Sequence, residues 1–164
     1  MKKALLLSTI LFLGLAAFSQ QKPASPHETF TAKNITVRYG RPYKKGRDIF
    51  GKLEPFGKVW RCGADSATLI TFARNAKFGG KPVKAGTYNL FVIPNEKEWT
   101  IILNSELGQW GAYNYDKIKD KDVAQVTVPV KTLSAPVEQL TFAAPGNDLT
   151  ITWDKTQVAV PVSF

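Results

Sequence analysis

Arginine and lysine side chains hold anions, and this chain gathers them: Arg41, Lys45, Arg47 and Arg61 all fall in the run RPYKKGRDIFGKLEPFGKVWR, residues 41–61. A guanidinium is a planar fork that pairs with two oxygens of a carboxylate, sulfate or phosphate, whereas an ammonium is a mobile point charge. Trp60 lies in the same run, and Trp110 and Tyr113 lie in a later aromatic stretch, NSELGQWGAYNYDKIKD, at 104–120. Aromatic faces beside cations can stack on sugar rings. The candidate ligand-binding residues are therefore Arg41, Lys45, Arg47, Trp60, Arg61, Trp110 and Tyr113, for an anionic or carbohydrate-like ligand. A purely structural use of the same groups competes with this. The arginines would then tie a long loop to backbone carbonyls or to Asp48, Glu54 and Asp65, and the tryptophans would sit in the core.

Other chemistry is poorly supplied. Nucleophilic catalysis needs a nucleophile with a base in reach, and the chain offers one thiol, Cys62, and one histidine, His27. Arg61 beside Cys62 would lower the thiol pKa, but a lone His in a Pro-rich lead-in is a poor base, and free Cys is commonly a small buried hydrophobe. One His and one Cys do not make a zinc set, and no acidic calcium-loop spacing is present. Asp116, Asp120 and Asp122 alternate with lysines, as in a solvated turn. No metal or other cofactor is expected. Asp65, Glu96, Glu98 and Glu106 are the carboxylates near the aromatic segments, and a chain of this size leaves little room for the deep cleft that paired-carboxylate hydrolases build. No catalytic residue is expected, and the reading leans away from an enzyme.

The elements that must position these groups follow from the rest of the sequence. Residues 1–19, MKKALLLSTILFLGLAAFS, read as a secretory signal: two lysines, an apolar run, then small residues at Ala17 and Ser19. The run is too short for a membrane span, so no transmembrane anchor is expected. Export to the periplasm or beyond is. Without Lys2 and Lys3 the formal charge drops from +9 to +7. Residues 38–61 hold eight basic and two acidic residues, whereas basic and acidic residues balance from 62 onward. Nucleic acid is excluded as a partner by the exported setting and by the lack of a recognition helix or an RNP-type motif. An anionic glycan or another envelope component suits both the charge and the compartment.

Residues 20–29 read as a flexible lead-in and 30–164 as one domain. Its single Cys allows no intramolecular disulfide, so packing must hold it. Ile35, Val37 and Tyr39 alternate with polar residues as in a half-buried strand. Further strands are expected at 67–73, 76–83 with Gly79-Gly80 as the hairpin turn, 87–94, 98–104, 124–130, 137–144, 148–154 and 157–162. Short strands separated by Gly, Pro, Asn and Asp, with no sustained helical period, argue for an all-β fold. The expectation is an antiparallel β-sandwich of jelly-roll or Greek-key type. Gly86-Thr87-Tyr88 opens a strand as a tyrosine corner would, or as an ordinary strand after a turn. Residues 40–58 carry no strand pattern, yet Tyr43, Ile49, Phe50, Leu53, Phe56, Val59 and Trp60 argue that this long loop is ordered.

Several motifs resemble the family known as domain of unknown function 2911: Arg41-Pro42, Lys45-Gly46-Arg47, Ile49-Phe50-Gly51 and Pro55-Phe56-Gly57-Lys58-Val59-Trp60-Arg61. Gly63-Ala64, Ala67-Thr68, Ala85-Gly86-Thr87-Tyr88, Phe91 to Pro94, Glu98-Trp99-Thr100 and Gln109-Trp110-Gly111-Ala112-Tyr113 continue it over almost the whole of the chain after the signal. The resemblance implies an exported bacterial protein and carries no assigned activity. It also implies that Cys62 occupies a position where the family allows other residues, which argues against a catalytic thiol. The leading expectation is thus a non-enzymatic binding module for an anionic or carbohydrate-like envelope ligand. The alternatives are a small carboxylate-dependent hydrolase, with Asp65 or Glu106 acting on an anionic glycan and Arg61 holding the anion, and an envelope protein-interaction module.

Overall fold

The computed structural model describes residues 25–164; the signal expected over 1–19 and the lead-in as far as 24 lie outside the described residues. Ten strands follow in chain order: β1 (His27–Ala32), β2 (Ile35–Gly40), β3 (Ala64–Phe72), β4 (Ala76–Phe78), β5 (Lys81–Val83), β6 (Gly86–Pro94), β7 (Glu98–Asn104), β8 (Asp122–Pro129), β9 (Lys131–Ala143) and β10 (Asp148–Ser163). They form a six-stranded sheet, ordered β1-β2-β3-β6-β7-β8, and a four-stranded sheet, ordered β5-β4-β10-β9. The two antiparallel sheets pack as a β-sandwich.

Alternation decides which side chains face the other sheet. In β2 Ile35, Val37 and Tyr39 are buried, and in β8 Ala124, Val126 and Val128 are buried while Val123, Gln125 and Thr127 are exposed, as the period of two requires. β4 and β5 pair across Gly79-Gly80, both at positive φ (55° and 81°), the conformation that a two-residue hairpin loop needs and that glycine reaches without steric cost. The Tyr88 hydroxyl donates to the Lys84 carbonyl at 3.0 Å, so the strand does open on a tyrosine corner.

Three details differ from the sequence reading. Residues 27–29, read as part of the lead-in, belong to β1, which pairs with β2 from His27↔Gly40 to Ala32↔Ile35; an exposed edge strand shows little hydrophobic pattern. The segments at 148–154 and 157–162 are one strand, β10, whose pairing with β9 shifts around Asp154 at φ 51°. The turn rich in Asp and Lys holds a single helical turn, α1 (Tyr115–Ile118), and a 3-10 turn, Lys119–Lys121.

The loop at 41–63 is ordered because it is stitched to both sheets. Leu140 N–H donates to Pro42 O and Lys44 N–H to Glu138 O, which fixes its start on β9. Trp60 and Val92 exchange both backbone hydrogen bonds, at 2.7 and 2.9 Å, which fixes its end on β6. Between these anchors Ile49, Trp60 and Cys62 enter the inter-sheet core. Trp60 stacks on Trp153 (centroids 5.9 Å apart, planes 18° apart) and meets Trp99 and Phe50 edge-on.

Candidate functional site

The loop builds a pocket of about 330 Å3 beside β9 and β10, bordered by Tyr43, Lys45, Arg47, Glu54, Arg61 and Trp153, among others. Trp153 belongs to the aromatic cluster, so the pocket abuts the core. Among the described residues, four of the five non-glycine residues at positive φ lie in or beside this loop: Lys45, Cys62, Asp65 and Asp154. Each such residue costs on the order of 1–2 kcal/mol, so the loop path is held by its surroundings against local preference.

Three sequence candidates converge here: Lys45, Arg47 and Arg61. Arg47 also braces the loop, its Nε donating to Lys44 O at 2.9 Å and an Nη to Tyr43 O at 2.5 Å. Lys45 is held through its backbone N–H, which donates to the Glu138 carboxylate at 2.8 Å, leaving its side chain exposed. Arg61 is different. Its Nε is buried and has no hydrogen-bond partner among the described residues.

Glu54, which sequence reasoning weighed only as a brace for arginines, is the carboxyl group in the pocket. Burial pushes its pKa up to about 7, against the opposing pull of Arg61 and Arg47. Near neutral pH the group can therefore donate as an acid or accept as a carboxylate. The sequence signal that could have found it is its place between Lys52 and Arg61 in an apolar, Pro-flanked segment, where a carboxyl is drawn out of water with cations nearby.

The other candidates stand elsewhere. Arg41 is spent on structure: its Nε donates to Leu140 O (3.0 Å), one Nη to Glu28 (2.8 Å) and the other to Thr141 Oγ1 (3.1 Å). It ties β1 and the start of the loop to β9. Trp60 is 3% exposed and is core, not a stacking surface, because its backbone pairing to Val92 turns the ring between the sheets. Trp110 and Tyr113 are 66% and 81% exposed but border no part of the Arg61 pocket; they project from the segment that crosses the outer face of the six-stranded sheet.

The remaining chemistry sorts quickly. Cys62 is fully buried, and burial drives its thiol pKa well up, the opposite of nucleophile activation. His27 is exposed and sits 3.1 Å from Asp65 Oδ2, fixed on β1 instead of in a mobile lead-in. Among the described residues no cluster of His, Cys, Asp or Glu could hold a metal ion, and no helix is long and apolar enough to cross a membrane. A second pocket of about 310 Å3 includes Lys33, Arg74 and Phe164, but Lys33 already donates to Gly146 O and Asn147 Oδ1, and Arg74 sits over the Phe164 ring.

Fold and loop together define an antiparallel two-sheet sandwich whose longest connection carries a cationic pocket. The chain belongs to the DUF2911 family, described as a protein of unknown function, whose model matches residues 21–162. No curated protein and no solved structure matches it.

Proposed function

We propose that the protein is an exported, non-enzymatic binding module that takes a small hydroxylated anion, such as a sugar acid, in the Arg61 pocket. The observation that carries this reading is the Arg61 guanidinium, which borders the pocket with its Nε buried and unpartnered. Burying a charged donor without an acceptor is costly, and an anionic oxygen would relieve that cost. Arg47 and Lys45 add positive charge, and Glu54 adds a hydrogen-bonding group of the other kind, suited to hydroxyls. The N-terminal sequence supports export. The basic run from 38 to 61 supports an acidic envelope glycan as the source of such a ligand.

A hydrolase is less well supported. Neither Asp65 nor Glu106 borders the Arg61 pocket, and Asp65 is engaged with His27. Glu54 is the one carboxyl there, and acid–base glycoside hydrolysis needs two.

The test is thermal shift with glucuronate, galacturonate, inorganic phosphate and sulfate, and with glucose as the neutral control. A ligand that binds only the folded state raises the melting temperature once its concentration exceeds Kd. The expected result is a salt-sensitive rise with the uronates at about 10 mM that is lost in Arg61→Met and kept in a folded Arg41 variant. No rise with any anion, or a rise that survives Arg61→Met, overturns the reading.

A further inference from the structure

A second set of groups lies on the outer face of the six-stranded sheet, away from the inter-sheet core. Two depressions, of about 190 and 180 Å3, adjoin along Ser66, Ala67 and Leu69, which border both, and are taken together as one groove. Its length is set by the sheet register. Arg38 on β2 faces Leu69 on β3, and Leu69 faces Asn89 on β6, a row of three strands spanning about 10 Å. Trp110 stands at the β6 end, and Arg38 and His27 at the other.

The Trp110 end is held rigidly. Ser66 and Trp110 form a β-bridge, Ala67 N–H donates to Gln109 O, and Gly111 N–H donates to Asp65 O, both at 3.0 Å. Gly111 follows at φ 68°, a left-handed conformation that glycine reaches without steric cost. The backbone that carries this large indole is thus fixed while the ring is two-thirds exposed, which the hydrophobic effect alone would not favour.

The groove floor holds a second anomaly. Asn89 is fully buried; its Nδ2 donates to Glu106 O, but its Oδ1 has no partner among the described residues. A flipped amide would set oxygen against the Glu106 carbonyl, so the unpaired atom is the acceptor. Buried acceptors without donors are rare and unfavourable.

We propose that this groove is a second binding site, for a β-linked neutral glycan whose ring stacks on Trp110 and whose hydroxyls bond Asn89, Gln109 and Ser66. The occupant is argued from the mixture of surfaces. An indole face needs an apolar partner, and an acceptor at the floor with polar neighbours needs hydroxyl donors. A β-linked pyranose chain presents both, with C–H faces above and below the ring and hydroxyls around its edge. Arg38, exposed at the far end, supplies donors to the next ring. The site is separate from the Arg61 pocket and stands whether or not that pocket binds an anion.

The other three tryptophans, Trp60, Trp99 and Trp153, are at most 3% exposed, so acrylamide quenching of tryptophan fluorescence reports on Trp110. The probes are hexasaccharides of β-1,4-linked glucose and β-1,4-linked N-acetylglucosamine, with the α-1,4-linked glucose hexamer as control. Saturable protection of Trp110 by a β-linked hexamer, by about twofold or more at full occupancy, is expected, unchanged in Arg61→Met. Calorimetric binding is expected to disappear in Trp110→Ala at an unchanged melting temperature and to weaken in Gln109→Ala. Absence of protection at millimolar hexasaccharide, or binding that persists in Trp110→Ala, overturns the proposal. So does Trp110 protection that rises with protein concentration alone and tracks a dimer in sedimentation, since the groove would then be an interface between copies.

Discussion

The two irregular regions of the chain look alike in sequence and differ in structure. Both 41–63 and 105–121 are rich in glycine, lysine and aromatics, yet the first buries Trp60 and leaves Lys45 and Arg47 exposed, while the second keeps Trp110 and Tyr113 out. The difference lies in what each region crosses. The first runs from β2 to β3 and on the way hydrogen-bonds to β9 of one sheet and β6 of the other, so its apolar side chains meet the inter-sheet core. The second lies on the outer face of the six-stranded sheet, where the apolar cluster is small: Ala67, Phe91, Ile102 and Tyr115. Tyr115 satisfies that cluster, and burial together with its hydrogen bond to Asp122 pushes its pKa up. Nothing comparable is left for Trp110 to pack on.

The largest effect should come from exchanging the roles of the two tryptophans. Trp60→Ala removes a ring stacked on Trp153 and should cost about 3–5 kcal/mol in urea unfolding. Trp110→Ala should stay within about 0.5 kcal/mol of wild type. Equal losses would mean that the two loops do not differ in this way.

Glu54 sharpens the comparison within the first loop. Its folded-state pKa, about 7, lies above the ordinary glutamate value of 4.5, so the folded state holds the proton more tightly than the unfolded chain. The sign follows: stability is highest below the unfolded pKa, falls as pH rises between the two values, and levels off above 7. The fall should be on the order of 2 kcal/mol after allowance for partial screening. Glu54→Gln should flatten this slope and raise the melting temperature at pH 8; an unchanged slope would show that the carboxyl is not buried as described.

The arginines should separate next. Arg41→Ala breaks three hydrogen bonds that tie β1 and the loop to β9 and should cost about 1–3 kcal/mol. Arg61→Met removes a guanidinium whose buried Nε has no partner among the described residues and should leave stability unchanged or slightly higher while abolishing the anion response. The smallest effect is expected at the tyrosine corner, where Tyr88→Phe removes one hydrogen bond to Lys84 O and should cost about 0.5–1.5 kcal/mol by thermal unfolding.

Much of this fold was legible in the sequence. Alternating Ile35, Val37 and Tyr39, the Gly79-Gly80 turn and the apolar runs of β6 and β7 each report a local property, because strand period and turn conformation depend on neighbours in the chain. The packing of the long loop was legible too, from Ile49, Phe50 and Trp60, since so many apolar groups cannot remain in water. The edge strand β1 was not, because one paired side and a solvated face leave little pattern in HETFTA. Nor was the unity of β10, whose break at Asp154 resembles a turn.

For the candidate site the division is sharper. By itself the sequence determined an all-β chain with its excess positive charge between residues 38 and 61, and with too few His and Cys residues for a zinc set. Only the tertiary structure decided that Arg41 braces β9, that Arg61 borders a pocket with Glu54 and has its Nε unpartnered among the described residues, and that Trp60 is core while Trp110 faces solvent. Charge and aromaticity are properties of residues. Which of them is exposed depends on backbone pairings across long separations, Trp60 with Val92 and Ser66 with Trp110, that no local pattern records.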